Sequence, residues 1–155
     1  MIIDLCSGYG GATQAFNEEV IKLDISSKVK PDIVADVRYL PLREKLRPNL
    51  LWCSPPCTFM SYAHQYIMPG IGKNLAIVGA CLEAVPYLEP KNWILENPRG
   101  RLQNYIGPPR AKISYYAKRI KGKKHTHLWS NVDSLKRAFI PYEISKKISD
   151  YLEKV

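Results

Sequence analysis

Cys57 ends the run "LLWCSPPC" and Glu96 ends the run "NWILE". Cysteine is the most intrinsically nucleophilic of the ordinary side chains, and a carboxyl group beside it can give or take a proton at the atom under attack. Two prolines before Cys57 stop a sheet ladder and fix the direction of the backbone, so the thiol is presented in one orientation. Asn97-Pro98 does the same for Glu96. Either residue alone reads as a buried small group or a surface charge. Both, at the ends of neighbouring strands, read as a nucleophile with its acid–base partner. A free thiol ionises near pH 8.5, about one unit above most working conditions, so Cys57 needs nearby cations or a helix start to become a thiolate.

A second group of residues reads as a small-molecule site. In "DLCSGYGG", Asp4 is followed by Gly8, Gly10 and Gly11, which let the backbone turn tightly and approach a ligand. The third glycine of a dinucleotide fingerprint would fall at residue 13, where the chain has Thr13, so this loop is not built for a pyrophosphate. Asp24 ends a second strand and is placed to take ribose hydroxyls. Asp36 ends a third and is placed to accept from an adenine amino group. A glycine turn with two such acids and no pyrophosphate grip describes a site for S-adenosylmethionine.

Elements that position these groups follow from hydrophobic patterning. "MIIDLC", "VIKLDI", "PDIVADV", "NLLWCS" and "NWILEN" read as five strands. "SGYGGATQAFNEEV" reads as a glycine turn entering a helix. Leu75, Val78, Leu82 and Val85 recur on one face of a longer helix over about 75–85, and Ile144, Ile148 and Leu152 do so in a C-terminal one. The alternation predicts an α/β domain, Rossmann-like, with a mostly parallel sheet, helices on both faces and ligands at the C-terminal strand edges. The 155 residues suit a single domain, 1–155, with no repeat or linker.

The net charge of +9 is uneven. From Arg99 to Lys124 there are nine Lys or Arg and no Asp or Glu, which points to an anionic partner, nucleic acid first. Tyr105, Tyr115 and Tyr116 within the stretch suit base stacking. No signal-peptide pattern and no membrane-spanning run is read, so a soluble, cytoplasmic protein with reduced cysteines is expected. Cys53 and Cys57 with His64, His125 or His127 give poor zinc spacing, so no metal is expected.

"DLCSGYGG", "SPPC" and "LENP" resemble, in the same order, the cofactor-loop, Pro-Cys and Glu-Asn motifs of the cytosine C5 DNA methyltransferases, closest to the compact phage and virus members. The resemblance covers roughly Ile2 to Asn131. It implies the class I S-adenosylmethionine-dependent methyltransferase fold, with Cys57 adding to C6 of cytosine while Glu96 bonds the N3 edge. It also implies that Asp4, Gly8, Gly10 and Gly11 hold the methionine side, Asp24 the ribose and Asp36 the adenine. Cys6, Tyr9, Ile25, Val37 and Pro55 would complete the cofactor site. Pro56 would shape the base pocket and Asn97 would orient the strand ends. The base must be flipped out or single-stranded, because the thiol cannot reach C6 inside a stack.

Three departures qualify the match. Cys6 stands where the family has an aromatic residue. The arginine-bearing motif that contacts cytosine is only echoed by "YYAKRIKGKKHTHLWSN", in which Arg119, Lys123 and Lys124 are the candidates. Only 24 residues follow Asn131, too few for a separate target-recognition domain. Target selection then falls to a homodimer or partner protein, or to the loop from Thr58 to Asn74, hinged at Gly70 and Gly72. DNA is the expected substrate ahead of RNA. The alternatives are an RNA cytosine C5 methyltransferase and an S-adenosylmethionine-fold protein that binds nucleic acid without methylating it.

Overall fold

Four apolar runs, Ile2–Leu5 (β1), Val20–Asp24 (β2), Leu50–Cys53 (β4) and Asn92–Pro98 (β5), form the centre of a seven-stranded sheet, in a computed structural model that describes residues 1–62, 70–116 and 123–132. β1 and β4 are buried at every position, as strands covered on both faces must be. Ile33–Val34 (β3) lies at one edge, and Ala111–Tyr116 (β6) and Lys123–Ser130 (β7) complete the other. The order is β3-β2-β1-β4-β5-β7-β6. All pairs from β3 to β5 are parallel, and β7 runs antiparallel between β5 and β6. This is the Rossmann-like, mostly parallel sheet expected of the class I methyltransferase fold. Chain order reverses between β1 and β4, the switch point at which open α/β sheets bind ligands.

Side chains alternate between two cores. Ile3, Leu5, Leu51, Cys53 and Leu95 pack with Val78, Cys81, Ala84 and Leu88 of helix α1, Ile71–Leu88. Ile2, Leu50, Trp52 and Ile94 pack on the other face with Ala111, Ile113 and Leu128 of the β6–β7 hairpin. α1 outruns the predicted 75–85 at both ends. Its most buried stripe is Asn74, Val78, Cys81, Ala84 and Leu88, with Leu75, Leu82 and Val85 on the flank. It is long and apolar enough to span a bilayer by composition, yet this stripe lies against the sheet as that of a core helix does. It stops at Glu89, which takes a left-handed conformation just before Pro90.

One expectation is corrected. The segment after the glycine turn is a chain of turns, not a helix, with bonds from Thr13 N–H to the Gly10 carbonyl and from Phe16 N–H to the Thr13 carbonyl. Thr13 spends its hydroxyl on Asp4, at 2.7 Å, which pins the segment to the sheet instead of freeing it to wind. Among the described residues both α-helices, α1 and the short α2 over Gln103–Ile106, lie on one face. Ala12 and Phe16 help cover the other. The predicted C-terminal helix lies outside the described residues, as do residues 63–69 of the proposed closing loop. Gly72 falls inside α1, and Gly70 before it packs against the Phe59 ring.

Candidate active site

Past the end of β4 the chain reads Ser54-Pro55-Pro56-Cys57, and both proline carbonyls are gripped. Asn97 of β5 donates from Nδ2 to the Pro55 carbonyl at 2.9 Å, and Asn74 of α1 donates from Nδ2 to that of Pro56 at 3.1 Å. The Cys57 carbonyl then accepts from the N–H groups of Met60 and Ser61, which closes a tight turn. Beyond the turn the chain is stitched to the segment that follows β5. Ser61 bridges Gly100, Arg101 N–H donates to the Met60 carbonyl at 2.7 Å, and Tyr62 N–H donates to that of Arg99. A Cβ on Gly100 would lie 1.9 Å from the Met60 oxygen, so only glycine permits this approach. Cys57, half-buried, is therefore held from both sides.

Glu96 projects from β5 on the side shared with Thr126 of β7, whose hydroxyl donates to its carboxylate and also to the Asn97 carbonyl. Burial raises the Glu96 pKa; the Thr126 bond and the Lys124 charge oppose the rise. Burial also raises the Cys57 thiol, and the Glu96 charge adds to the effect, while Lys124 lowers it. Lys124 thus acts on both groups, which places thiol, carboxyl and ammonium within one electrostatic neighbourhood. In the resting protein Cys57 is held toward the thiol, and Glu96 toward the protonated carboxylic acid, which can donate to a ring nitrogen.

The other three cysteines are free thiols of a different kind. The Cys53 thiol points at the Cys81 carbonyl, a weak contact at 3.9 Å. A hydrogen bond with the Cys81 thiol, and then burial, push the Cys6 thiol up. Cys81 is pushed up in turn, first by its bond with Cys53. Neither the Cys6 nor the Cys81 shift has a cation among its causes, as that of Cys57 has.

A cavity of about 240 Å³ opens at the C-terminal edges of β1 to β4. Cys6, Asp24, Ile25, Asp36, Val37 and Pro56 line it, together with Arg38, Ser54 and Ile77, which the sequence did not single out. Asp24 accepts from Gly8 N–H at 2.9 Å and from Ser26 N–H at 2.8 Å, so it pins the glycine loop as well as facing the cavity. Gly8 and Gly10 both have positive φ, and a Cβ on Gly10 would press on the Lys22 side chain. Ile25 lies 68% exposed at the rim. Asp36 is committed to Arg38, whose backbone N–H and guanidinium both donate to it, and its pKa is held low by those bonds.

Asp4 is fully buried beneath the loop. Burial pushes its pKa up to about 7 against the Thr13 hydrogen bond, and its second oxygen has no partner. These residues fit a nucleoside carrying a cationic tail: acids at the ribose edge, apolar walls, and an orphaned carboxylate oxygen under the glycine turn.

The structure therefore brings Cys57, Glu96, Asn97 and Lys124 together, and separately Cys6, Asp24, Ile25, Asp36 and Val37. It places Pro56 in the wall of that cavity and Pro55 behind it, buried. Gly8, Gly10, Gly11 and Tyr9, the last 85% exposed, form the loop above and do not line the cavity. Arg119 lies outside the described residues, and of Lys123 only the backbone, in β7, is described. Asn74, Gly100 and Thr126 are functional positions that patterning missed. An asparagine on an apolar helix stripe was the one available signal for Asn74.

No protein-family model matches the chain. The chain is similar to the Frog virus 3 (isolate Goorha) protein named "Probable DNA (cytosine-5)-methyltransferase", at 27% identity over an alignment that spans 96% of this chain and 76% of that protein. The resemblance first carried by three short motifs thus extends over nearly the whole chain.

Proposed function

We propose that this chain, a relative of the cytosine C5 DNA methyltransferases, transfers a methyl group to C5 of cytosine in DNA with Cys57 as nucleophile and Glu96 as its acid–base partner. The observation that carries the reading is the electrostatic convergence of Lys124 on both Cys57 and Glu96 at the ends of β4 and β5. Substrate binding completes the activation. A phosphate-bearing strand brings the target base against Glu96, and the carboxylic acid donates to N3, drawing electron density from the ring. With its proton passed to N3, Glu96 is left as the partner of Lys124; Cys57 gives up its proton to solvent, and the resulting thiolate adds to the now electrophilic C6. That S–C6 bond places an electron pair at C5.

S-adenosylmethionine, when bound, supplies the electrophilic methyl group that C5 takes up. Asp24 and Ile25, which line the cavity, would hold its nucleoside, with Asp4 buried under the glycine loop beside it. Asp36 meets the adenine together with Arg38, as a pair, because its carboxylate is already engaged. Loss of the C5 proton to solvent, with the N3 proton returning to Glu96, then lets the S–C6 bond break, which restores the ring and returns the thiolate. Asn97 and Asn74 keep Cys57 from swinging away during these steps. A misplacement of about 1 Å can cost roughly a hundredfold in rate.

The test is transfer of labelled methyl groups from S-adenosylmethionine to duplex DNA, single-stranded DNA and RNA, with Cys57→Ser alongside. Label in 5-methylcytosine of DNA, lost in the variant while cofactor affinity persists, is expected. Label confined to RNA would move the substrate assignment. No label on any substrate, with cofactor still bound, would replace the enzyme by a nucleic-acid-binding protein.

A further inference from the structure

Strand β7 presents two different faces. Thr126 shares the side of Ile113 and Glu96, whereas His125 pairs with Ser114, and His127 pairs with Lys112 and Asn97, on the side of α1 and α2. A cavity of about 290 Å³ is bounded on that second side by Tyr62, Arg99, Gln103, Lys112, His125 and His127, and Ile113 and Thr126 of the first side also border it. It is separate from the 240 Å³ cavity at the ends of β1 to β4, and no lining residue belongs to both.

We propose that this cavity is a nucleotide subsite, holding a phosphate and its attached nucleoside from the bound nucleic acid strand outside the target base. The proposal rests on the methyltransferase reading above and deepens it by naming where the strand is gripped. Arg99 and Lys112, both exposed, supply two cations, and no carboxylate lines the cavity. That is the composition of a phosphate site. His127 is 4% exposed and its Nδ1 has no partner, an unusual state for a buried ring nitrogen and one that a ligand's hydrogen-bonding group would relieve.

Burial, then the charges of Lys112 and Arg99, hold the His127 pKa down, so the imidazole is neutral and the local field positive. Tyr62 supplies the stacking surface. Its ring is 47% exposed, the Arg101 guanidinium lies 5.7 Å from its centroid, and its hydroxyl accepts from Gln103 at 3.4 Å. His125 is braced by Ser114 at 2.7 Å. Because Tyr62 and Arg99 also form the stitch that closes the Cys57 turn, an occupant of the cavity rests on the element that places the nucleophile.

The experiment uses the full chain and a short labelled single-stranded oligodeoxynucleotide, with affinity followed against salt. The Arg99→Gln/Lys112→Gln variant is expected to bind at least tenfold more weakly, with its log–log salt slope reduced by roughly 0.7, one phosphate contact's worth. Its S-adenosylmethionine affinity stays at the wild-type value, as does the slope of a Lys28→Gln/Lys30→Gln control on the far side of the sheet. In a second arm, deoxycytidine 5′-monophosphate is expected to shift the imidazole resonances of His125 and His127. An equal response to inorganic phosphate would overturn the nucleotide assignment, and an unaltered slope in the double variant would overturn the subsite. If the wild type methylates DNA, either result removes the subsite alone. If the wild type neither binds nor methylates any nucleic acid, the functional reading itself falls.

Discussion

The Asn97 side-chain amide donates to the Pro55 carbonyl across 2.9 Å, so the end of β5 holds the loop that delivers Cys57 two residues later. Asn97→Ala removes that bond from a fully buried position, at a cost of about 1–3 kcal/mol. Methyl transfer is expected to fall by roughly a hundredfold, because the nucleophile loses its fixed position. Asn74→Ala, which frees only the exposed Pro56 carbonyl, is expected to act in the same direction and less strongly. Denaturant unfolding beside single-turnover kinetics checks both; rates equal to wild type would mean that the loop is held by other contacts.

Two glycines make opposite predictions. Gly100→Ala would drive a methyl group into the Met60 carbonyl and break the bridge to Ser61, with a loss of about 3 kcal/mol or more and of most activity. Gly79→Ala, in the middle of α1 with nothing within 4 Å of the new carbon, is expected to stabilise by about 1 kcal/mol. Urea midpoints measured for the pair read the contrast directly.

Alkylation of Cys57 reports the two charges around it. Lys124 lowers the thiol pKa and Glu96 raises it. Lys124→Gln should therefore move the pH profile of iodoacetamide reaction upward, and Glu96→Gln should move it downward. Cys57→Ser identifies the reacting site. Identical profiles for both variants would remove the shared electrostatic neighbourhood on which the mechanism stands.

Asp4 gives the protein a pH dependence. Its folded-state pKa of about 7 lies above the ordinary value of 3.8, so the folded chain keeps a proton that the unfolded chain has released. Stability from this group is whole below about pH 4, declines as pH rises, and is gone above about pH 7, by on the order of 4 kcal/mol. Asp4→Asn should flatten that slope in melting curves taken across the range. A wild-type slope that survives the substitution would assign it to another group.

Much of the architecture was legible because parallel strands buried on both faces announce themselves as short apolar runs, and all five of those runs are strands. β6 and β7 were not, because their alternation is masked by lysines and histidines: "AKISYY" and "KKHTHLWS" read first as charge. The segment 11–16 misled in the opposite way, since Thr13 looked like a helix residue and is a partner of Asp4. Cys57 was legible because Pro55-Pro56 follows the end of β4; Glu96 was legible by its place on an apolar run, but β5 continues through Asn97 and Pro98, so the proline after it does not mark the strand end. Asn74, Gly100 and Thr126 were not, because their roles depend on contacts across 18 to 40 residues that no local pattern encodes.

The stitch between Met60–Tyr62 and Arg99–Arg101 also has a consequence for the order in which the chain acquires its chemistry. While the polypeptide leaves the ribosome, Cys57 emerges some 40 residues before Asn97 and Gly100, as an ordinary solvated thiol on an unanchored turn. Neither clamp on β5 exists until that strand has been made and has paired with β4. Placement of Cys57, the proposed nucleophile, is thus a product of late, long-range closure, and a nascent chain stalled before residue 97 carries the cysteine without the clamps that hold it.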